Sequence, residues 1–358
     1  MKRFKTTTIV FSLITAICAV LHLLFFINKD FADWFNETIA YFFRFIFAKL
    51  TSFIPFSVAE ILLFSIPLLA IALVVYLNAK GGSVKNRIVI AAKFFLTAAA
   101  GVYFLFVFTF AAGYQCSSLD IRLDIEKNDI TKDDLYDTLV YVIEKTNEYA
   151  EKVEFKEDGA SVLPVDYNGL SKEICASYDE VFAKYRIGNN FNSTVKPLII
   201  SPLMTYTHIS GVYSFFTGEA NLNTNYPDYV CAFSVAHELA HQRGVARENE
   251  ANFLAYLVCI DSDNDYLKYS GYLSMYSYLS SALRNTDYEL WKDAASNLCD
   301  KANQELIAYS EFFNKYRDSA MSDVSDIFND TYLKLQGTEG IKSYGMVVDL
   351  AVAYHKKN

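Results

Sequence analysis

The 358-residue chain has only 14 glycines, 6 prolines and 6 cysteines. So little glycine and proline excludes a collagen-like or low-complexity chain, and six cysteines over this length exclude a disulfide-dense scaffold. Disorder is excluded by what stands in their place, 53% hydrophobic and 16% aromatic residues. Basic charge is scarce as well: 32 Lys and Arg face 41 Asp and Glu, a formal net charge of −9. Its distribution is uneven. Residues 1–112 hold ten Lys and Arg against four Asp and Glu, which leaves 22 against 37 in residues 113–358, so a +6 segment precedes a −15 segment. An acidic domain repels phosphate at long range, so nucleic acid is excluded as a partner. The mean hydropathy of +0.15 is high for a soluble chain of this size. With the charge split it excludes a plain cytosolic enzyme and describes a basic membrane anchor joined to an acidic domain.

Residues 6–27, TTTIVFSLITAICAVLHLLFFI, contain no charge at all. At 1.5 Å per residue they cover a hydrocarbon core of roughly 30 Å. Residues 56–77 predict a second span, with Glu60 near its start and Pro67 in its middle. Residues 88–112 predict a third, with Lys93 near enough to the interface to snorkel. Lys2, Arg3 and Lys5 precede the first span, and Lys80, Lys85 and Arg87 lie between the second and third. This bias puts both segments in the cytoplasm and everything after about Gly113 outside it. The segment near 38–55, TIAYFFRFIFAKLTSFIP, reads as a helix lying in the outer interface, with a re-entrant hairpin as the alternative. The first span exceeds a signal-peptide core and lacks a small-x-small exit, so it reads as a retained anchor. Glu60 and His22 are ionisable groups at membrane depth, both close enough to an interface to reach headgroup water.

Residues 113–358 form one exterior domain, read as mostly helical. Thr131 caps a helix that starts with acidic residues, and Ser171 caps a second that ends near Tyr185. Residues 195–204 and 212–223 read as strands, followed by helices at about 228–243, 246–261, 265–283, 287–317, 321–336 and 341–355. The five exterior cysteines match no zinc knuckle and read as buried thiols.

The chemistry is concentrated in CAFSVAHELAHQRGVARENEANFLAYLVC, residues 231–259. His237 and His241 stand at i and i+4 of a helix, on one face, where both imidazoles can reach one zinc ion. Glu238 follows His237 and is placed to take a proton from activated water and return it to a leaving amine. The apolar lead-in belongs to a buried helix, where two histidines and a glutamate are costly without a purpose. A catalytic zinc site wants a third protein ligand and an open position. Gly244 ends the first helix, and the next offers Glu248 and Glu250, some 200° apart by helical geometry. Glu248 shares its face with small and polar Ala251, Asn252 and Ala255, whereas Glu250 faces Phe253, Leu254 and Leu257. Glu248 is therefore the expected third ligand.

His237-Glu238-x-x-His241 followed by Glu248-x-x-Ala251-Asn252 resembles the gluzincin type of zinc metallopeptidase, although only six residues separate His241 from Glu248. Over essentially its whole length the chain also resembles a bacterial membrane family of unknown function numbered 3810. That resemblance is carried by the three spans, FTGEANLN, HELAHQRGVARENEANFLAYL and YLKLQGTEGIKSYG. Together the spans and these resemblances imply three N-terminal transmembrane helices followed by a mostly helical α+β zincin-like domain with a small sheet. Zinc is therefore expected on His237, His241 and Glu248, with Glu238 as base and Asn252, Glu250 and Arg247 around the ligands. Arg243 and Arg247 are expected to pair with Glu250. Strand 212–223 would offer an edge for an extended peptide, with Asn221 and Asn223 on one face; an ordinary capped sheet edge is the alternative. Tyr344, His208 and Arg247 are candidate donors to a tetrahedral intermediate.

The expected function is a multi-pass membrane zinc peptidase hydrolysing peptide or protein substrates outside the cytoplasm. A zinc hydrolase for another amide, such as cell-wall peptide, is a variant of it. A non-catalytic envelope or sensor protein that binds a partner is the alternative from another class. It would be favoured by a fourth protein ligand such as Cys231 or His208.

Overall fold

Apolar helices make up the first hundred residues and an all-round helical core the rest, with one short sheet between helices. Residues 2–125, 130–339 and 346–357 are described in the structure, a computed structural model. The chain divides into two compact units: residues 1–116 with 214–219, and residues 117–213 with 220–358.

The first unit holds α1 (Lys2–Ile27), α2 (Lys29–Phe35), α3 (Tyr41–Ser52), α4 (Val58–Lys80) and α5 (Val84–Thr109). Three stretches, Ile9–Ile27, Val58–Lys80 and Val84–Thr109, are long and apolar enough to cross a membrane. Caps explain where the later two begin. The Ser57 hydroxyl accepts from the Glu60 N–H, and the Ser83 hydroxyl from the Asn86 N–H. His22 does more than reach toward water: its Nδ1 lies 3.1 Å from the Tyr103 hydroxyl of α5, which packs on α1.

The segment expected near 38–55 begins earlier, at an Asn28 cap, and runs through a π turn at Asn36–Ala40 into α3. Arg44 is not a surface charge of this helix but is 1% exposed. Its Nη1 donates to Asn36 Oδ1 and to the Thr109 carbonyl, both at 2.8 Å, and its Nη2 donates to the Asn36 carbonyl at 2.8 Å. A guanidinium with so many fixed acceptors tolerates burial that a bare cation would not. The hairpin segment 214–219 is held by the same unit. Both Glu219 carboxylate oxygens accept first-turn amides of α4, from Val58 at 3.0 Å and Ala59 at 2.9 Å. Such amides have no partner inside their helix, and a charge-assisted bond to one is worth roughly 1.5–3 kcal/mol.

The second unit opens with α6 (Leu119–Arg122), α7 (Lys132–Ala150), α8 (Tyr167–Tyr185), β1 (Lys196–Pro197) and α9 (Ser201–Met204). β2 (Gly211–Ser214) and β3 (Glu219–Leu222) form the hairpin shared with the first unit. There follow α10 (Asp228–Gln242), α11 (Glu248–Asp261), α12 (Asp265–Thr286), α13 (Tyr288–Ala295), α14 (Asp300–Phe313), α15 (Ala320–Leu335) and α16 (Val347–Lys357). α11 is apolar on all sides from Phe253 to Cys259, so it takes the centre, packed by α8, α10, α12 and α16. Thr131 forms the expected N-terminal cap of α7, a capping box closed by Asp134.

Several expected boundaries move. α8 starts at Tyr167 because Asp166 caps it, and the Ser171 hydroxyl serves inside the helix, donating to the Tyr167 carbonyl. The helix expected over 287–317 breaks between α13 and α14, where Asn147 Oδ1 accepts the Cys299 N–H at the new start. The strand expected at 195–204 shortens to two residues and turns into α9, which Pro202 enters as an early helical residue. The strand expected at 212–223 is two strands around a turn, because Gly218 adopts φ +72°. The sheet order is β1-β3-β2, with β1 parallel to β3 and Lys196 opposite Asn221. All six cysteines are thiols outside any disulfide, five of them buried.

Candidate metal centre

α10 carries the H-E-x-x-H pattern on a helix buried along nearly its whole length. It is held by the chain around it: near its start the Cys231 thiol donates to the Tyr226 carbonyl, and in its middle the Ala236 carbonyl accepts from the Tyr178 hydroxyl. The helix ends at Gln242, and Gly244 at φ +97° turns the chain back. α11 then starts at Glu248, with Arg247 in extended conformation before it. The reversal brings Glu248 onto the two histidines. Its Oε2 lies 3.2 Å from His237 Nε2 and 3.4 Å from His241 Nε2. The ligand atoms of His237, His241 and Glu248 all lie within 4.8 Å of one another. Among the described residues no fourth His, Cys, Asp or Glu joins them.

The surroundings prepare these atoms for a cation. His241 Nδ1 lies 2.7 Å from the Val245 carbonyl, an acceptor for a proton on Nδ1, which turns Nε2 toward Glu248. The rings of His237 and His241 meet edge-on at 4.6 Å. Burial works against a charged His241, but the Glu248 carboxylate beside it raises its pKa to about 9. Burial likewise opposes charge on Glu248, yet the two imidazoles hold it well below the carboxylate range. Three buried polar atoms here lack a hydrogen-bond partner among the described residues: His237 Nδ1, Glu238 Oε2 and Asn252 Nδ2. Such a concentration is unusual in a folded interior and marks a place where something polar belongs. Two imidazoles and one carboxylate are a zinc donor set, and these residues fit the ion.

Glu238 is 4% exposed. Burial pushes its carboxyl up to about 7, with His237 and His241 opposing that rise and Glu248 adding to it. The Tyr213 backbone N–H on β2 also opposes that rise, as the smallest of these influences. Gly211 leaves no room beside Glu238: a Cβ there would stand 2.6 Å from Glu238 Cγ and 2.7 Å from its Oε1. The Ser234 and Ser210 hydroxyls, 2.8 Å apart, tie α10 to the approach of β2.

The remaining expected residues divide. Arg247 donates to Glu250 Oε1 at 2.5 Å, and the same oxygen accepts the Leu119 N–H at 3.1 Å, so Glu250 fastens α11 to α6. Arg243 does not pair with Glu250. It is buried over the Tyr178 ring at 4.4 Å and donates to the Phe191 carbonyl and the Cys175 sulfur. Asn221 and Asn223 are both fully buried and turned to the chain's own backbone. The Asn221 amide donates to the Val212 carbonyl, and the Asn223 amide to the Ile209 carbonyl. β3 is the central strand, so Asn221 does not lie on a sheet edge; the edge strands are β1 and β2. His208 Nε2 meets the Tyr316 carbonyl at 2.8 Å, and neither His208 nor Cys231 belongs to the ligand group. Tyr344 lies outside the described residues.

Two contributions have no signal in the sequence. The Tyr213 amide is a main-chain group, which no side-chain pattern announces. Tyr278 of α12 stands close enough to Glu248 that burial and then that carboxylate push its phenol up to about 12. One tyrosine among 26 carries no mark of its own.

The fold and the site together define a protein with three membrane-compatible helices and a helical domain in which an H-E-x-x-H helix meets a glutamate from the next helix. The chain belongs to the family described as protein of unknown function (DUF3810), whose model matches residues 35–352. No curated protein matches the chain, and no solved structure does.

Proposed function

We propose that this protein is a membrane-anchored zinc metallopeptidase of zincin type that hydrolyses peptide bonds outside the cytoplasm. The observation that carries the proposal is the convergence of His237, His241 and Glu248 within 4.8 Å beside a buried Glu238. The H-E-x-x-H spacing and the later glutamate, alike in order to gluzincins, support the same reading. When bound to those three residues, zinc supplies Lewis acidity toward a carbonyl oxygen and toward water.

The chain's own groups supply the rest. With its carboxyl near neutrality, Glu238 can take a proton from attacking water at its carboxylate and hand it to the departing amine nitrogen. The Val245 carbonyl holds His241 in the ligating tautomer. β2, as a sheet edge, has main-chain groups with which an extended peptide can pair. The basic residues flanking the apolar helices support a cytoplasmic N-terminus and an exterior domain beyond the third helix.

The test is metal analysis and peptide hydrolysis on the purified full chain beside Glu238→Ala. Zinc retained in both, with hydrolysis lost only in the variant, is the expected result. A wild-type chain that binds no zinc, or a variant that cleaves as fast as wild type, refutes it.

A further inference from the structure

α15 of the second unit carries its polar and apolar residues on the reverse sides from those of a water-facing helix. At about 100° per residue, Ser322, Ser325, Asn329, Leu333 and Gln336 fall on one face. That face is turned inward: Ser322 is 4% exposed and Leu333 0%, Gln336 is buried, and Ser325 and Asn329 are half-buried. The other face carries Met321, Val324, Ile327, Phe328 and Leu335, which are between 46% and 73% exposed. A helix that meets water on its outer side has its apolar stripe toward the core instead. The apolar surface continues beyond the helix. α15 packs on the turn Thr205–Thr207, where Tyr206 is exposed, and α9 just before that turn exposes Leu203. An apolar surface of this extent on a folded domain marks a place covered by something other than water.

Three features decide what covers it. α15 has 16 residues, so it is about 24 Å long and about 10 Å wide, with a footprint of roughly a few hundred Å². Each partner of a stable protein interface buries about 800 Å², whereas a lipid surface sets no such minimum. Asp323, Asp326 and Asp330 stand around the apolar face, with Lys334 paired to Asp330 at 2.6 Å. In a self-complementary contact a second copy would set its own aspartates against these. Finally, the chain carries three stretches long and apolar enough to cross a membrane, so a bilayer is always within reach of the domain they tether.

We propose that the outward face of α15 beds in the surface of the bilayer that anchors the chain, with Ile327 and Phe328 deepest. Sixteen residues with three aspartates are too few and too charged to span, so the helix lies in the plane of the interface. The lipid it takes is zwitterionic phospholipid, held by burial of apolar side chains, because the acidic flank opposes an anionic surface. Neither the three candidate ligands nor peptide hydrolysis enters into this contact.

Nitroxide labels on the full chain in phosphatidylcholine nanodiscs test it. Phe328→Cys and Asp326→Cys are labelled separately in a Cys299→Ser background, since Cys299 is the one cysteine not fully buried. Leu69→Cys, on the exposed surface of α4, gives the lipid reference. The ratio of accessibility to oxygen over a water-soluble nickel complex should be about fivefold or more higher at 328 than at 326, and close to that at 69, because an interfacial helix buries its apolar face some 5–10 Å deep. Replacing half of the lipid by phosphatidylglycerol should lower the ratio at 328. Equal ratios at 328 and 326 overturn the proposal, and so does spin–spin broadening at 328 with both reagents excluded, which assigns the face to a second copy. A ratio at 328 that rises with phosphatidylglycerol overturns the choice of lipid. The unsubstituted chain supplies a second measurement should a labelled variant fail to fold. Phosphatidylcholine with a diazirine in its acyl chain should cross-link to the peptide holding Ile327 and Phe328, and adducts confined to residues 1–112 overturn the proposal.

Discussion

Gly211→Ala tests the geometry around Glu238 with a single methyl group. Gly211 has no left-handed φ, so alanine meets no backbone strain and should even stiffen the unfolded chain, by about 0.4–1 kcal/mol. The cost is steric. All three nearest neighbours of the new Cβ belong to Glu238: Cγ at 2.6 Å, Oε1 at 2.7 Å and Cδ at 2.9 Å. Carbon atoms rest about 3.5–4.0 Å apart, so Glu238 must recede by about 1 Å. Overpacking of this kind costs roughly 1–3 kcal/mol, so the net loss of stability should stay below about 3 kcal/mol and the domain should remain folded. Activity should respond far more, because about 1 Å of misplacement costs on the order of 100-fold in rate. Zinc content should not change, since the methyl group meets none of the three ligands. The assay is zinc stoichiometry, thermal unfolding and kcat on one preparation. A folded, zinc-loaded Gly211→Ala chain with a rate within about threefold of wild type would refute the reasoning.

Three further outcomes follow from the same structure. Glu248→Gln removes the anionic member of the ligand group, so zinc affinity should fall by more than the roughly 10–100-fold that loss of an outer-shell partner costs; competition with a chelating dye measures it. Glu250→Gln should keep zinc but lose roughly 1–3 kcal/mol of stability, because one carboxylate oxygen serves both Arg247 and the Leu119 amide; a denaturant titration alongside a zinc assay would contradict this by showing the reverse pattern. His355 sits among Tyr141, Tyr256 and Tyr354, where burial lowers its pKa from 6.5 to about 4. The unfolded chain binds this proton first, so stability is fully present above pH 6.5 and falls as pH drops toward 4, by at most about 3 kcal/mol. His355→Gln should flatten that slope in unfolding midpoints measured from pH 7 to 4, and an unchanged slope would show that another group causes it.

The features legible in the amino-acid sequence are those with a period or a fixed spacing. Uncharged runs of about twenty residues announce membrane-compatible helices, and the i, i+4 histidines announce a shared face. The choice of Glu248 over Glu250 follows from helical angle, and the structure places Glu248 with the histidines and Glu250 with Arg247 and Leu119. Long-range pairings have no such signature. Arg44 reads as an interfacial charge until Asn36 and Thr109 are found around it. Asn221 and Asn223 share a face in any strand, but only the register of β3 between β1 and β2 shows that they serve their own backbone. Glu219 and the amides of Val58 and Ala59 lie some 160 residues apart, and no local rule connects them.

Only six residues separate His241 from Glu248, and this short step explains how the rest of the site is arranged. Within those residues the chain supplies a helix end, the Gly244 turn, the Val245 carbonyl that holds His241, and the third ligand. The three candidate ligands and the carbonyl that meets His241 are therefore local to two consecutive helices, fixed once α10 and α11 pack. The proposed catalytic carboxylate is different. Glu238 sits on the same helix as the histidines, yet it is walled from outside, by Gly211 on β2. The grouping of the three candidate ligands and the placement of Glu238 thus depend on separate parts of the chain, the first on a helical turn and the second on β2. Under the proposed reading, Gly211→Ala should therefore disturb hydrolysis and leave zinc content unchanged.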